Sequence, residues 1–87
     1  MVSKKVTIIN PSGVHARPAS ILSKAATECS SNILLIHNGK KIQPKSILNL
    51  MAAALKKGTE IEVQCEGENE EADLKKITEL IESGLGE

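Results

Sequence analysis

The chain has 87 residues, 40% of them hydrophobic, with 11 basic and 11 acidic residues and no Phe, Tyr or Trp. That length predicts a single domain over residues 1–87, burying only about 60% of the surface its unfolded form exposes. The missing aromatic platforms and the zero formal charge argue against a nucleic-acid binder, which needs bases to stack and phosphates to pair.

Residues 2–9 are β-rich, with Val2, Val6 and Ile8 on one face at period two. Asn10-Pro11-Ser12-Gly13 supplies four turn formers that end the strand. A helix is expected over 16–28, because Ala19, Leu22, Ala26 and Cys29 recur at helical spacing with Pro18 and Ala25 flanking them. Pro18 is tolerated there, since the first turn has no intrahelical N–H bonds to lose. The apolar run Ile33-Leu34-Leu35-Ile36 reads as a central strand. Asn38-Gly39 signals a two-residue hairpin turn, and residues 40–43 form its short return.

Ser46 is placed as the N-cap of a second helix over 47–55, with Lys56 and Lys57 at its negative end and Gly58 at C′. That stretch holds more apolar side chains than one helix face can bury, so part of Ile47, Leu48 and Met51 is expected on the surface, as at partner contacts. Residues 60–66 alternate, with Ile61, Val63 and Cys65 facing in and charged or amide side chains facing out. Asn69 is expected to cap a third helix with Glu70, Glu71 and Asp73 in its first turn and a stripe of Leu74, Ile77 and Ile81. The order β-α-β-β-α-β-α predicts an α+β two-layer sandwich built as a split β-α-β.

Two residues in this frame point to chemistry. A lone histidine is usually only a surface residue, but His15 falls where a turn enters a helix, against amide donors and the positive dipole end. Arg17, two residues on, offers a planar fork for phosphate oxygens. Together they read as a phosphate cradle around a nucleophilic imidazole. Cys29, Cys65, His15 and His37 lack the spacing of a metal site, so no metal and no cofactor are expected, and His37 is read as exposed beside its turn. With no secretory h-region, two cysteines are read as reduced thiols in a cytoplasmic protein. No apolar run approaches the ~18 residues that span a bilayer, so no membrane insertion is expected. The residues by themselves leave three readings open. They are a covalent phosphoryl carrier, a small acyl-phosphate hydrolase using Arg17, and a regulatory binding module acting through Ser46. Only the carrier uses His15 and Arg17 together.

At Gly13-Val14-His15-Ala16-Arg17-Pro18-Ala19 and at Lys45-Ser46-Ile47-Leu48 the sequence resembles the HPr family, the histidine-containing phosphocarriers of the bacterial phosphoenolpyruvate:sugar phosphotransferase system. The resemblance runs from Lys5 to the C-terminal end. It implies an open-faced β-sandwich, a four-stranded antiparallel sheet covered on one face by three helices. It implies a carrier rather than an enzyme, with His15 taking a phosphoryl group on Nδ1 from phosphorylated Enzyme I, aided by Arg17, and passing it to the IIA domains of sugar permeases; a monomer is expected, with self-association left open. Ser46 matches the regulatory serine of the Gram-positive type, phosphorylated by HPr kinase/phosphorylase and read by a catabolite-control repressor. Ala16, Ser20, Lys24, Ile47, Leu48 and Met51 match the docking surface.

Overall fold

The computed structural model describes residues 1–86. Its elements run β1 (Val2–Thr7), α1 (Ala16–Glu28), β2 (Asn32–His37), β3 (Lys40–Ile42), α2 (Ile47–Ala52), β4 (Glu60–Glu66) and α3 (Glu70–Glu82). The four strands form one antiparallel sheet in the order β1-β4-β2-β3. The expected α+β open-faced sandwich is therefore the fold found.

β4 is central because its alternation serves both neighbours. Ile61 lies opposite Val6 of β1, and Val63 and Cys65 lie opposite Leu35 and Ile33 of β2. All of these side chains are buried, whereas Glu60 and Glu66 are exposed. On the open face Lys5 stands opposite Glu62, an opposite-charge cross-strand pair. The helices close the other face with Leu22, Ala26, Leu50, Ile77 and Ile81. α1 contributes mostly small side chains (Ala19, Ala25 and Ala26 among its buried set), which lets its backbone lie close to the layer below. The hairpin between β2 and β3 has Asn38 at φ 50 and Gly39 at φ 78, the pair of positive angles a type I′ turn requires.

Several local expectations are corrected. β1 ends at Thr7 and β3 at Ile42, one or two residues short of the predicted limits. Ile8 remains buried and tied by bonds to Thr59 and Gly58, while Ile9 turns out to solvent at 46% exposure. His37 is half-buried rather than exposed. α2 is six residues long, not nine. The chain leaves the helix at Ala53, and Ala54 adopts a left-handed φ of 51. Lys56, Lys57 and Gly58 therefore do not end α2. They form a tight turn into β4, with the Gly58 amide donating to the Ile8 carbonyl at 2.7 Å. Asn69 holds the N-cap position of α3 but makes no side-chain capping bond, and its side-chain amide donates to Ser30 Oγ at 3.1 Å.

The turn after β1 is anchored across the molecule. Asn10 is buried, and its side-chain amide donates to the Gly84 carbonyl at 2.7 Å, beyond the end of α3. Leu85 closes that end with a left-handed φ of 52 and a fully buried side chain.

Candidate functional site

Gly13 is the residue on which the site depends. It sits at φ 70, and a Cβ there would fall 2.4 Å from the Leu55 carbonyl oxygen. No other residue type supplies both the left-handed angle and that approach. The approach lets the Val14 amide donate to the same carbonyl at 2.8 Å. The loop entering α1 is thereby clamped to the loop leaving α2.

His15 follows at once. It is the N-cap of α1 through its backbone (φ −86, ψ −165), and its carbonyl accepts the Ala19 amide at 2.9 Å. Its residue is exposed. Pro18 has no amide to offer and the Ala19 amide is engaged, which leaves those of Ala16 and Arg17 as the donors at the helix mouth. Arg17 is exposed at the second helical position, while Ser20 and Lys24 follow on the exposed face of α1.

His15 also borders an open groove of about 330 Å³. Val14 and Leu55 are buried in its floor, and Met51 and Ala54 come from the α2 side. Ser12 and Lys56 complete it. The structure therefore brings His15 together with Met51, both expected from sequence. It does not bring the Arg17 side chain into the groove wall; the cation there is Lys56, which the sequence reading assigned to the helix dipole. The signal that could have found Lys56 is Gly13, since a glycine beside the candidate histidine lets another backbone approach closely.

Ser46 is half-buried at the N-cap of α2, where its Oγ accepts the Asn49 amide at 3.1 Å. Asn49 Oδ1 in turn accepts the Gln43 amide at 2.9 Å. The cap is worth about 1 kcal/mol. Ser23 Oγ of α1 donates to the Lys45 carbonyl at 2.8 Å, holding the Ser46 loop beside α1. Next to it stand the exposed apolar side chains, Ile47 at 42%, Leu48 at 80% and Met51 at 44%.

The displaced titrations lie at the other end of α1. Asp73 accepts from the Ser31 hydroxyl at 2.6 Å and the Ser31 amide at 3.1 Å, and the hydroxyl bond chiefly holds its carboxyl below the usual range. Burial first, then the nearby Asp73 and Cys29, push the Cys65 thiol up to about 11. Cys29 is raised as well, mainly by burial. Both thiols are free, buried and poor nucleophiles, which gives them a core role. Among the described residues no cluster could hold a metal ion, and no helix is long and apolar enough to cross a membrane.

Residues 2–83 match the family model described as the PTS HPr component phosphorylation site. The chain is 42% identical to the phosphocarrier protein HPr of Mycoplasma capricolum, over 98% of this chain and 97% of that one. It is 39% identical to the phosphocarrier protein HPr of Treponema pallidum, over 100% of this chain and 99% of that one. Among solved structures, an HPr from Thermoanaerobacter tengcongensis superposes with a TM-score of 0.94 at 36% identity, covering 100% of this chain and 98% of that one.

Proposed function

The chain belongs to the HPr family of phosphotransferase-system phosphocarriers, and from that premise we propose that His15 is the residue that carries the phosphoryl group. The carrying observation is its position, exposed at the N-cap of α1 and bordering the groove under the helix mouth. An imidazole nitrogen, Nδ1 in this reading, attacks the phosphorus of phosphorylated Enzyme I. A new N–P bond forms as the donor's bond to phosphorus breaks, and the bonding pair stays with the donor. The reverse sequence delivers the group to a IIA domain. The chain returns to its starting state only when a second partner has taken the group, which is what separates a carrier from an enzyme.

The amides of Ala16 and Arg17 and the Arg17 guanidinium are suited to the phosphate oxygens. Such anion stabilisation contributes about 0.3–1 kcal/mol at an exposed helix end. A small value fits a carrier, since a tightly held group would not be passed on. Ala16, Ser20 and Lys24 of α1, with Ile47, Leu48 and Met51 of α2, are the proposed docking surface. Ser46 beside it is the proposed regulatory position, modified by HPr kinase/phosphorylase and read by a catabolite-control repressor. A phosphate there would set a charge of about −2 next to the apolar patch, repelling an acidic partner.

Phosphorus NMR after incubation with phosphoenolpyruvate and Enzyme I tests the central claim. One acid-labile phosphoimidazole signal per chain is expected, and His15→Ala should abolish it. A signal that survives in that variant would overturn the assignment.

A further inference from the structure

We propose that Lys56 is a second cationic ligand of the phosphoryl group on His15, reaching it across the groove. The inference rests on the reading of His15 as acceptor and adds a residue that reading does not contain.

Lys56 and His15 border one groove, and among the described residues no carboxylate lines it with them. The position of Lys56 is fixed by its backbone. Its Cα lies 3.2 Å from where a Gly13 Cβ would stand. Gly13 and His15 are two residues apart, so their Cα atoms are separated by at most ~7 Å. The Lys56 amide donates to Thr59 Oγ1 at 3.2 Å, and its carbonyl accepts the Thr59 amide at 3.0 Å. The residue before it receives the Val14 amide. None of these bonds uses the ammonium, which rides on a flexible four-carbon stem.

The groove chemistry is one-sided. An apolar floor lowers the effective dielectric, so a cation at its rim acts more strongly on an adjacent dianion than it would in bulk water. The α1 mouth supplies neutral amide donors to the imidazole, and Lys56, a lining residue of the same groove, supplies a full charge. Lys57, the next residue in the turn, does not line the groove and is the natural control.

The test uses the phosphorylated full chain and follows the acid titration of the phosphoryl group itself by its phosphorus chemical shift. Removing an adjacent positive charge makes the second phosphate proton harder to lose. Lys56→Gln should weaken that acidity by about two- to five-fold, the size expected for one exposed charge pair. Lys56→Arg should restore it, and Lys56→Glu should shift it further in the same direction. The difference between the wild type and Lys56→Gln should shrink in high salt. Lys57→Gln should leave the titration unchanged. Because the backbone bonds do not involve the side chain, a merely structural role would move melting temperature without ordering the titrations by charge.

Equal titrations for Lys56→Gln and Lys57→Gln would overturn the proposal. So would a change confined to the KM for Enzyme I, which would make Lys56 a partner contact. If the wild type takes no phosphate on His15, the acceptor assignment fails and this inference falls with it; that outcome is distinct, because it precedes any lysine variant.

Discussion

Replacing Gly13 by alanine tests the clamp that places His15. Gly39→Ala is the matched comparison, since both glycines have positive φ (70 and 78) but nothing lies within 4 Å of a Cβ at Gly39. Both variants incur the left-handed cost of about 1–2 kcal/mol, partly offset by ~0.4–1 kcal/mol from a stiffer unfolded chain. Gly39→Ala should therefore cost about 0–1.6 kcal/mol. At Gly13 the new Cβ would stand 2.4 Å from the Leu55 oxygen, so that carbonyl must move and the 2.8 Å bond from the buried Val14 amide is lost. An unsatisfied buried donor adds about 1–3 kcal/mol. For a domain of this size that excess corresponds to roughly 5–20 °C of melting temperature. Thermal unfolding followed by circular dichroism measures it. The initial rate of phosphorylation by Enzyme I should fall in Gly13→Ala and hold in Gly39→Ala. Equal melting temperatures for the two variants would refute the reasoning, because they would mean that the Leu55 loop yields without cost and does not hold the site.

Two further outcomes are expected. Ala54→Gly, at a left-handed φ of 51, should raise stability by about 0.5–1 kcal/mol, seen as a higher melting midpoint, since a non-glycine residue there carries strain that glycine lacks. The Asp73 carboxyl is held below its ordinary value of 3.8, so its contribution is present above that value and is lost as pH falls through the depressed one. Asp73→Asn should cost about 1–2 kcal/mol at neutral pH, after discounting for its partial exposure, and should flatten the acid limb of a stability–pH curve below about pH 4; an unchanged acid limb would show that the Ser31 bonds add nothing.

Much of the fold could be read locally. The alternation of β4, the limits of α1 and the Asn38-Gly39 turn each follow from a few adjacent residues, because each is decided by period or by positive φ. What could not be read was decided far away in sequence. The apolar run through Leu55 reads as continuing helix, but Leu55 must bury its side chain and also turn its carbonyl to Val14, and Ala54 bends left-handed to allow both. Asn69 has the right chemistry for a cap, yet it makes no capping bond and its side chain bonds instead to Ser30, 39 positions away. Asn10 reads as a turn former, while its structural use is the Gly84 carbonyl. For the candidate site, the placement of His15 at the start of α1 could be read from its local context. The groove beside it could not, because its second wall comes from residues 51–56, and only the fold sets them opposite residues 12–15.

The strand order has a consequence for the chain as it leaves the ribosome. β1 is made before the other strands, but its only sheet neighbour among the described residues, β4, is the sixth of the seven elements described. Until β4 emerges, β1 has no hydrogen-bonding partner and the β2–β3 hairpin is the only sheet pairing available, a unit marginal on its own. The clamp on Gly13 and Val14 waits equally long, because Leu55 lies just ahead of β4. Sheet and site therefore close in one late step dominated by distant pairings, the kind that slows folding. A nascent chain shows its histidine to the cell well before it can hold it in place.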